Sequence, residues 1–420
     1  MTFVGKSRVP ARVVVPALAV LLAASAVEGL PASASGSSGA TAASALRGVS
    51  VSASSGLSAG TPATKRAPKA LPTLRTRVVM GRLDVPWDVA VLPTGAYLVT
   101  ERDRQRITLH TAQGGRRVIS NGPPGIWSGG ETGLMSILRD PRVTKNGRFY
   151  TCNGWRNSSG HRDIRVLAWR MNSSRTRAHV IDTLLSGIQI TSGRHGGCRL
   201  RFGPGGALYV GTGDSAVGTN PQNLRSLNGK ILRMTTSGRP WPGNPWIHSP
   251  NRKKRFVYNY GHRNVQGLAR RPGGVMWSVE HGTDRDDEVN VVLRAGNYGW
   301  NPVPGYNENT PMTNYRLPGK QIGARWRSGF PTLATSGAVF VRGKKWGRYQ
   351  GTLAVCALKA SKLVFMRFDK SGHLVWTKVP PALNGRYGRL RSVVMSKGND
   401  LLITTANGGG ADKIVRVSPH

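Results

Sequence analysis

The sequence predicts an all-β protein folded as a six-bladed β-propeller, and two observations lead to this prediction. Short segments of alternating hydrophobicity dominate the chain, whereas helical periods are few. A unit of apolar strand, Pro/Gly turn and apolar strand recurs six times, starting at Trp87, Leu134, Leu200, Leu268, Ala338 and Leu390. The spacing of roughly 50 to 70 residues suits one propeller blade per unit. A pair of β-sandwiches would also contain hairpins but would not require the same pattern six times.

The first 34 residues have the composition of a secretory signal peptide. Lys6, Arg8 and Arg12 precede an apolar run from Val13 to Ala26, and Ala-Ser-Ala at 32–34 offers small residues for cleavage. We therefore expect the protein to be secreted to the cell envelope or the extracellular space. An uncleaved anchor is the alternative, although the apolar run is short for a membrane span.

Residues 35–70 are rich in Ser, Ala, Gly and Thr and show no apolar period. This composition is typical of a disordered linker. The propeller is therefore expected over residues 71–420, which are numerous enough to bury a large core.

Three cysteines are consistent with an exported protein, although they do not form a disulfide scaffold. Cys152 and Cys198 lie in strands of consecutive repeats and could pair, whereas Cys356 is expected to be a small buried apolar residue. No C-x-x-C-H motif occurs. Since the chain carries no c-type haem, any electrons that it takes must leave to an external acceptor.

The formal net charge of +41 predicts a strongly positive surface. Nucleic acid is disfavoured as a partner, because no helix-turn-helix, zinc-finger or aromatic RNP pattern appears and a signal peptide directs the chain elsewhere. Anionic cell-envelope polymers, acidic sugars and an acidic electron-acceptor protein remain candidates. A basic genome bias that serves solubility is the alternative without a partner.

One short stretch runs against this charge. Five acidic residues occur within it, namely Glu280, Asp284, Asp286, Asp287 and Glu288. Carboxylates this close repel one another unless they are solvated, paired with cations or bound to a hard cation such as Ca²⁺. A calcium loop and an acidic surface turn paired with Arg285 and Arg294 both satisfy this requirement.

Three ordered motifs surround the acidic stretch. They are GHRNVQGL from Gly261, EHGTDRDDEVN from Glu280 and GNYGW from Gly296. Together they resemble the glucose/sorbosone dehydrogenase family, the soluble sugar dehydrogenases that use pyrroloquinoline quinone (PQQ). The resemblance covers about residues 75 to 418 and implies a six-bladed propeller, oxidation of an aldose, and PQQ and Ca²⁺ as cofactors.

For catalysis, the resemblance points to the segment SGRHGGCRL. It implies that His195 is the general base for the sugar's anomeric hydroxyl, a role that suits imidazole because its pKa lies near the working pH. Glu131 stands where the family has Gln or Glu facing the substrate, with an exposed loop carboxylate as the alternative. Arg194 departs from the family, because the glucose dehydrogenases place a substrate-binding acid there, so the sugar specificity does not carry over.

For the cofactor, the resemblance implies a set of cations, since PQQ is a tricarboxylate that a protein must neutralise. Arg263 would donate to the reactive quinone carbonyl, which also makes it catalytic, and Asn264 would lie beside it. The carboxylates would be held by Thr332, Lys359, Arg389 and Arg391.

The resemblance also implies two calcium ions. The backbone carbonyls of Gly282 and Thr283 would hold the first ion together with PQQ, although family members often have Pro at the position of Thr283. The second ion would be held by Glu288, Tyr298, the carbonyl of Pro304, and Glu308.

The sequence therefore predicts an exported, PQQ-dependent aldose sugar dehydrogenase that oxidises an anomeric hydroxyl to a lactone. A non-catalytic, secreted ligand-binding propeller that resembles the same family is the alternative. The joint presence of the implied base and cofactor cations disfavours this alternative. A calcium-dependent propeller lactonase would need carboxylates at the channel instead of cations.

Overall fold

The computed structural model describes residues 70–420, which form six four-stranded antiparallel sheets. The predicted six-bladed β-propeller is confirmed. The predicted signal peptide (1–34) and linker (35–70) lie outside the described residues, except for Ala70. Within the described range, no helix is both long enough and apolar enough to cross a membrane.

Each blade is one sheet. The first described strand, β1 (Leu74–Leu83), is the outer strand of the sixth blade. Blade 1 comprises β2 (Pro86–Val91), β3 (Tyr97–Glu101), β4 (Arg106–His110) and β5 (Arg116–Ser120). Blade 2 comprises β6 (Leu134–Arg139), β7 (Arg148–Arg156), β8 (Arg162–Met171) and β9 (Ala178–Gln189). Blade 3 comprises β10 (Gly197–Phe202), β11 (Leu208–Thr212), β12 (Lys230–Met234) and β13 (Val257–Tyr260).

The remaining blades follow the same order. Blade 4 comprises β14 (Val265–Arg270), β15 (Met276–Glu280), β16 (Glu288–Val291) and β17 (Trp326–Arg327). Blade 5 comprises β18 (Thr335–Phe340), β19 (Leu353–Ala357), β20 (Lys362–Phe368) and β21 (Leu374–Lys378). Blade 6 comprises β22 (Leu390–Met395), β23 (Leu401–Thr405), β24 (Asp412–Pro419) and β1. The described helices are α1 (Val143–Asn146) and the 3-10 turns Pro204–Gly206, Lys254–Phe256, Lys344–Tyr349 and Pro381–Leu383.

The two ends of the described chain close the ring. Strand β1 pairs antiparallel with β24, in a register that runs from Leu74 opposite Pro419 to Leu83 opposite Asp412. The buried Asp412 carboxylate accepts hydrogen bonds from the Val85 backbone N–H at 2.9 Å and the Thr405 hydroxyl at 2.6 Å. Blade 6 is therefore built from both ends of the described chain, and this pairing closes the ring.

A disulfide joins two neighbouring blades. Cys152 on β7 and Cys198 on β10 are bonded, with their Cα atoms 5.5 Å apart, as their places in consecutive repeats allowed. Cys356 is free and buried, as expected, and burial raises the pKa of its thiol. The disulfide ties the blade that follows Glu131 to the blade that follows His195.

The inner strands enclose a packed polar network centred on Asp88. Its carboxylate binds Arg199 at 2.8 Å and Arg201 at 2.9 Å, and accepts hydrogen bonds from Ser136 at 2.7 Å and Ser392 at 2.8 Å. Although burial opposes it, the two arginines hold the pKa of Asp88 well below its ordinary value. These five residues belong to blades 1, 2, 3 and 6. The network therefore fixes the blades around the channel beneath the loops that carry the site.

Candidate active site

Most of the residues predicted to be functional lie on loops at one end of the channel, whereas Arg391 lies on β22 and Glu288 on β16. Loops that precede first strands carry Glu131, His195, Arg263, Thr332 and Arg389, and loops that follow second strands carry His281, Gly282 and Lys359. In an antiparallel blade the start of the first strand and the end of the second are adjacent. The six-fold repeat thus brings residues far apart in sequence to one rim.

The ring of His195 is held by one nitrogen and free at the other. Its Nδ1 lies 2.9 Å from a carboxylate oxygen of Asp214, which is fully buried. A carboxylate can only accept, so Nδ1 is assigned the proton, and Nε2 is left as an acceptor. Nε2 has no hydrogen-bond partner within residues 70–420. This is the arrangement that a general base requires.

Two further side chains fix Asp214. Trp300 donates its indole N–H and Tyr306 its hydroxyl to the second carboxylate oxygen, each at 2.7 Å. The Tyr306 hydroxyl also lies 2.9 Å from Nδ1 of His195. Burial, followed by the Asp214 charge, raises the pKa of Tyr306, so that the hydroxyl remains a donor. Sequence reasoning missed Asp214, Trp300 and Tyr306 as site residues, although GTGD and GNYGW both occur in the segments that it singled out.

The backbone at the base adopts an uncommon conformation. His195 has a φ of 54°, in the left-handed region where non-glycine residues are rare. Its carbonyl lies against Gly213, where an added Cβ would come within 1.9 Å of the carbonyl oxygen, so only glycine fits. Such backbone strain is often found at functional sites, because the surrounding structure must enforce it.

Glu131 and Asn264 are brought together next to this base. The Asn264 amide donates to the Glu131 carboxylate at 3.1 Å, and its carbonyl oxygen accepts from the Gly197 N–H at 3.1 Å and from Gln266 at 3.0 Å. The Glu131 backbone N–H donates to Gly193 at 3.1 Å, two residues before His195. Glu131 therefore lies on a loop that is hydrogen-bonded to the loop of the base, and its contact with the substrate stays a prediction.

Three cations converge on His281, a residue that sequence reasoning did not assign. Burial, followed by the charges of Arg391 and Arg263, holds the pKa of His281 well below its ordinary value, so the ring is neutral. Arg389 adds to the same effect, although its own side chain is exposed. Within the described residues, Nε of Arg263, Nε of Arg391 and Nε2 of His281 are buried without a hydrogen-bond partner.

Arg391 is a buried cation with few anions near it. Its guanidinium donates to Gln266 at 2.8 Å and lies over the Trp87 ring at 5.5 Å. Burial, followed by Arg102 and Arg199, lowers its pKa to about 9. Buried cations without matching anions are costly, so this arrangement fits a site that receives a multiply charged anion.

Thr332 and Lys359 approach this site from blade 5. The Thr332 N–H donates to the Asp284 carbonyl at 2.9 Å, and the Lys359 N–H donates to the Leu333 carbonyl at 3.1 Å. Thr332 is buried and Lys359 is exposed. The Lys359 ammonium makes no hydrogen bond with any described residue, so it remains free to bind an anion.

The loop from His281 to Asp287 presents two free carbonyls. Asp287 organises it by accepting from the N–H groups of Gly282 at 2.9 Å, Leu333 at 2.8 Å and Thr335 at 3.1 Å. The carbonyls of Gly282 and Thr283 accept no hydrogen bond from residues 70–420. Oxygen donors of this kind fit the first predicted calcium ion, which needs carbonyl ligands and a carboxylate from the cofactor.

The two carboxylates predicted for the second calcium ion are already engaged by other side chains. Glu288 is bound by Arg327 at 3.2 Å and Asn290 at 3.2 Å, whereas Glu308 is bound by Arg194 at 2.7 Å and by Arg263. No group of three or more His, Cys, Asp or Glu side chains suited to a metal occurs in the described part of the chain. The second ion, with Glu288, Tyr298, Pro304 and Glu308, stays a prediction that this arrangement does not support.

The alternative prediction, one acidic surface turn, is wrong for the part of the stretch that is buried. Asp287 and Glu288 are buried, the latter on β16. Arg285 lies 3.7 Å from Asp286, but Arg294 donates instead to the Gly243 carbonyl at 3.3 Å. The acidic stretch therefore divides into an exposed tip around Asp284 and three buried carboxylates, Glu280, Asp287 and Glu288.

Comparisons with known proteins identify the family of this chain. The family model described as Glucose / Sorbosone dehydrogenase matches residues 83–416. The chain is 27% identical to the aldose sugar dehydrogenase YliI of Escherichia coli over 357 residues, which span 83% of this chain and 94% of the relative. The solved PQQ-bound aldose sugar dehydrogenase of Streptomyces coelicolor superposes with a TM-score of 0.71 at 30% identity, covering 84% of this chain and 100% of that one. This chain belongs to the glucose/sorbosone dehydrogenase family.

Proposed function

We propose that this protein is an exported, PQQ-dependent aldose sugar dehydrogenase that converts an aldose to its lactone and passes the electrons to an external acceptor. The observation that carries the proposal is a fixed imidazole with a free Nε2 beside an excess of buried cations. The names of the relatives, an aldose sugar dehydrogenase and its PQQ-bound counterpart, support the same activity.

The site fits PQQ by charge and by its unpaired donors. Arg389, Arg391 and Lys359 would hold the carboxylates together with Thr332, while Arg263 would donate to the quinone oxygen, with Asn264 beside it. The unpaired Nε2 of His281 faces the same cations and offers a further polar contact. When bound, PQQ supplies the two-electron acceptor that the reaction needs.

The residues of the chain supply the proton chemistry. His195 Nε2 takes the proton of the anomeric hydroxyl, while the hydride leaves the anomeric carbon and the carbon–oxygen double bond of the lactone forms. Asp214 stabilises the imidazolium that results, and Tyr306 and Trp300 keep Asp214 in place. Glu131 is positioned to accept a hydrogen bond from another sugar hydroxyl.

Calcium enters the proposal through the first site alone. The carbonyls of Gly282 and Thr283 would hold the ion beside the cofactor, where a cation polarises the quinone. A second ion would require Glu308 to leave Arg194 and Arg263.

Export is supported by the composition of the first 34 residues and by the disulfide, which forms in oxidising compartments.

Reconstitution tests the proposal. Purified protein would be titrated with PQQ, with and without Ca²⁺, and dye reduction would be followed with a panel of aldoses. We expect reduction only when PQQ, Ca²⁺ and an aldose are all present, with the lactone as product by mass spectrometry. PQQ binding without turnover of any aldose would instead favour the non-catalytic ligand-binding propeller.

A further inference from the structure

Arg194 lies at the mouth of the site, directly before the general base. Its guanidinium is centred 5.6 Å from the Tyr306 ring, and the hydroxyl of that ring is 2.9 Å from His195 Nδ1. The Arg194 side chain is 43% exposed, so it is accessible to a ligand from solvent. A single aromatic ring thus separates the guanidinium from the imidazole that acts on the substrate.

Most of the donors of Arg194 are unused. A guanidinium carries five N–H donors, and Glu308 takes only those on Nη2, at 2.7 Å to each carboxylate oxygen. Nε and Nη1 have no hydrogen-bond partner within residues 70–420. The stacking on Tyr306 keeps the guanidinium plane in place, which prepares these donors for a ligand.

The charge of Arg194 is only partly neutralised. Its partner Glu308 is shared with Arg263, so one carboxylate serves two guanidiniums. The other carboxylate close to this loop, Glu131, is hydrogen-bonded to Asn264. An incoming anion would therefore find a free guanidinium edge, and Glu131 is the neighbouring carboxylate whose charge opposes its binding.

We propose that Arg194 makes the enzyme selective for aldoses that carry an anionic oxygen group, a carboxylate or a phosphate ester, away from the reacting carbon. The inference rests on the proposed function and names its substrate class. Guanidinium binds such planar or tetrahedral anions with paired hydrogen bonds, which neutral hydroxyls cannot match in strength. Sugar acids and sugar phosphates share this chemistry.

Matched sugars at constant ionic strength test the proposal. Glucose, glucuronate and glucose 6-phosphate would be compared by kcat/KM for dye reduction with the holoenzyme. We expect one or both anionic sugars to be preferred by about 10- to 100-fold, the ratio that one or two charge-assisted hydrogen bonds give. The separate carboxylate and phosphate arms decide which anion is selected. Equal kcat/KM values for all three sugars would overturn the proposal.

Three variants separate anion binding from the alternative that Arg194 only positions Glu308. Arg194→Gln should abolish the preference for the anionic sugar. Glu308→Gln should keep or increase it, because the competing carboxylate is removed while the guanidinium remains. Loss of the preference in Glu308→Gln would show that Arg194 acts through Glu308. The control Arg177→Gln removes the same charge at an exposed residue and should leave the kcat/KM ratio of anionic to neutral sugar unchanged. If Arg177→Gln lowered this ratio as much as Arg194→Gln does, the preference would come from net charge.

A binding measurement separates failure of this inference from failure of the proposed function. Methyl β-glucuronide and methyl β-glucoside lack a free anomeric hydroxyl and cannot be oxidised there, so their binding is independent of turnover. Calorimetry should show tighter binding of the glucuronide, lost in Arg194→Gln. This result without any sugar oxidation would uphold the anion site and reject the dehydrogenase. Oxidation of neutral sugars with equal binding of both glycosides would do the reverse.

Discussion

His195 can act as a base because its other nitrogen is already committed. Asp214 accepts the Nδ1 proton in a fully buried position, and this fixes both the tautomer and the ring orientation. Nε2 has no competing partner within residues 70–420, and the left-handed backbone at His195 belongs to the same fixed arrangement. Substitutions at this residue should therefore affect proton transfer far more than cofactor binding.

We expect His195→Ala to lower turnover by about 100-fold or more, the usual scale for losing a general base. Affinity for PQQ should change little, since the cations that would bind it are on other loops. Single-turnover kinetics and a cofactor titration measure the two effects separately. His179→Ala, which removes an exposed histidine on β9, serves as the control. Near-normal turnover in His195→Ala would remove this residue from the mechanism.

Arg391 should show the opposite balance. Its charge is buried near Arg102 and Arg199, with Glu131 as the neighbouring anion, so the folded apo protein carries a penalty that a neutral side chain would relieve. Arg391→Gln is expected to keep or raise the apo melting temperature and to weaken PQQ binding by about 10- to 100-fold. Calorimetric melts and fluorescence titration provide the measurements, with Arg177→Gln as the control. An apo protein that is destabilised while its cofactor affinity is retained would reverse this assignment.

Sequence motifs identified the site residues that stand within short local patterns, but not the residues that hold them in place from distant parts of the chain. His195, Arg263 and Asn264 stand in short patterns that can be matched directly. Trp300 and Tyr306 reach Asp214 across 86 and 92 residues. Tyr306 also lies between β16 and β17, where no alternating apolar pattern marks its place. Contacts of this range depend on how the blades close, which local patterns do not encode.

At the scale of elements, the loop between β15 and β16 contains the carbonyls predicted to bind the first calcium ion. The sequence groups its acids together, but the fold turns Asp287 inward as an acceptor for three backbone N–H groups and places Glu288 on β16. Asp284 stays exposed, and its backbone carbonyl accepts a hydrogen bond from the Thr332 N–H. A count of charges cannot separate these roles, because the direction of each side chain is set by the turn.

Chelation should reveal whether this loop holds an ion. We expect a strong chelator to abolish PQQ-dependent turnover and to lower the melting temperature of the holoenzyme, since an ion bound only to the folded state stabilises it. Asp287→Asn should lower stability without a chelator, because its three accepted hydrogen bonds are weakened. Dye-reduction assays and thermal melts measure both. Turnover and melts that are indifferent to the chelator would show that the free carbonyls of Gly282 and Thr283 do not bind calcium.

The repeat pattern predicted the inner strands of every blade and missed the outer ones. The six units coincide with the first two strands of each blade, which are buried along most of their length. The outer strands β9 and β21 are half-exposed or exposed along much of their length, and β17 has only two residues. These strands are either very short or exposed on many of their residues, so they lack the apolar run by which the inner strands are recognised.

For the whole molecule, closure by β1 should decide whether the propeller folds. A chain that starts at residue 71 retains the full pairing of β1 with β24, whereas one that starts at residue 84 leaves that edge of β24 unpaired. We expect the first chain to unfold cooperatively at the temperature of the full chain. The second chain should aggregate or melt at a much lower temperature, because an exposed edge strand pairs with other chains. Two equally stable proteins would show that β1 is dispensable.

The fold also increases the positive charge of the surface. The described residues include 53 Lys and Arg and 18 Asp and Glu, of which only four basic but nine acidic residues are buried. Carboxylates such as Asp88, Asp214 and Asp412 serve as internal acceptors, so the basic residues dominate the exterior. An anionic cell-envelope polymer and an acidic electron acceptor are partners that such a field would attract, and both stay predictions. The sequence predicted that the surface is positive, but not that half of the described acidic residues are buried.

Ionic strength tests whether this field serves electron transfer. A surface of one sign attracts oppositely charged reactants over a Debye length of about 30 Å at 10 mM salt, which shortens to about 10 Å at 100 mM. We expect the second-order rate constant for reoxidation of the reduced holoenzyme by ferricyanide, an anion, to fall steeply over this range. A neutral acceptor dye should react at a constant rate, and a cationic one should react faster as salt is added. Stopped-flow traces at saturating sugar give all three constants. The same salt response for the three acceptors would mean that the basic surface does not steer the acceptor, leaving solubility as its role.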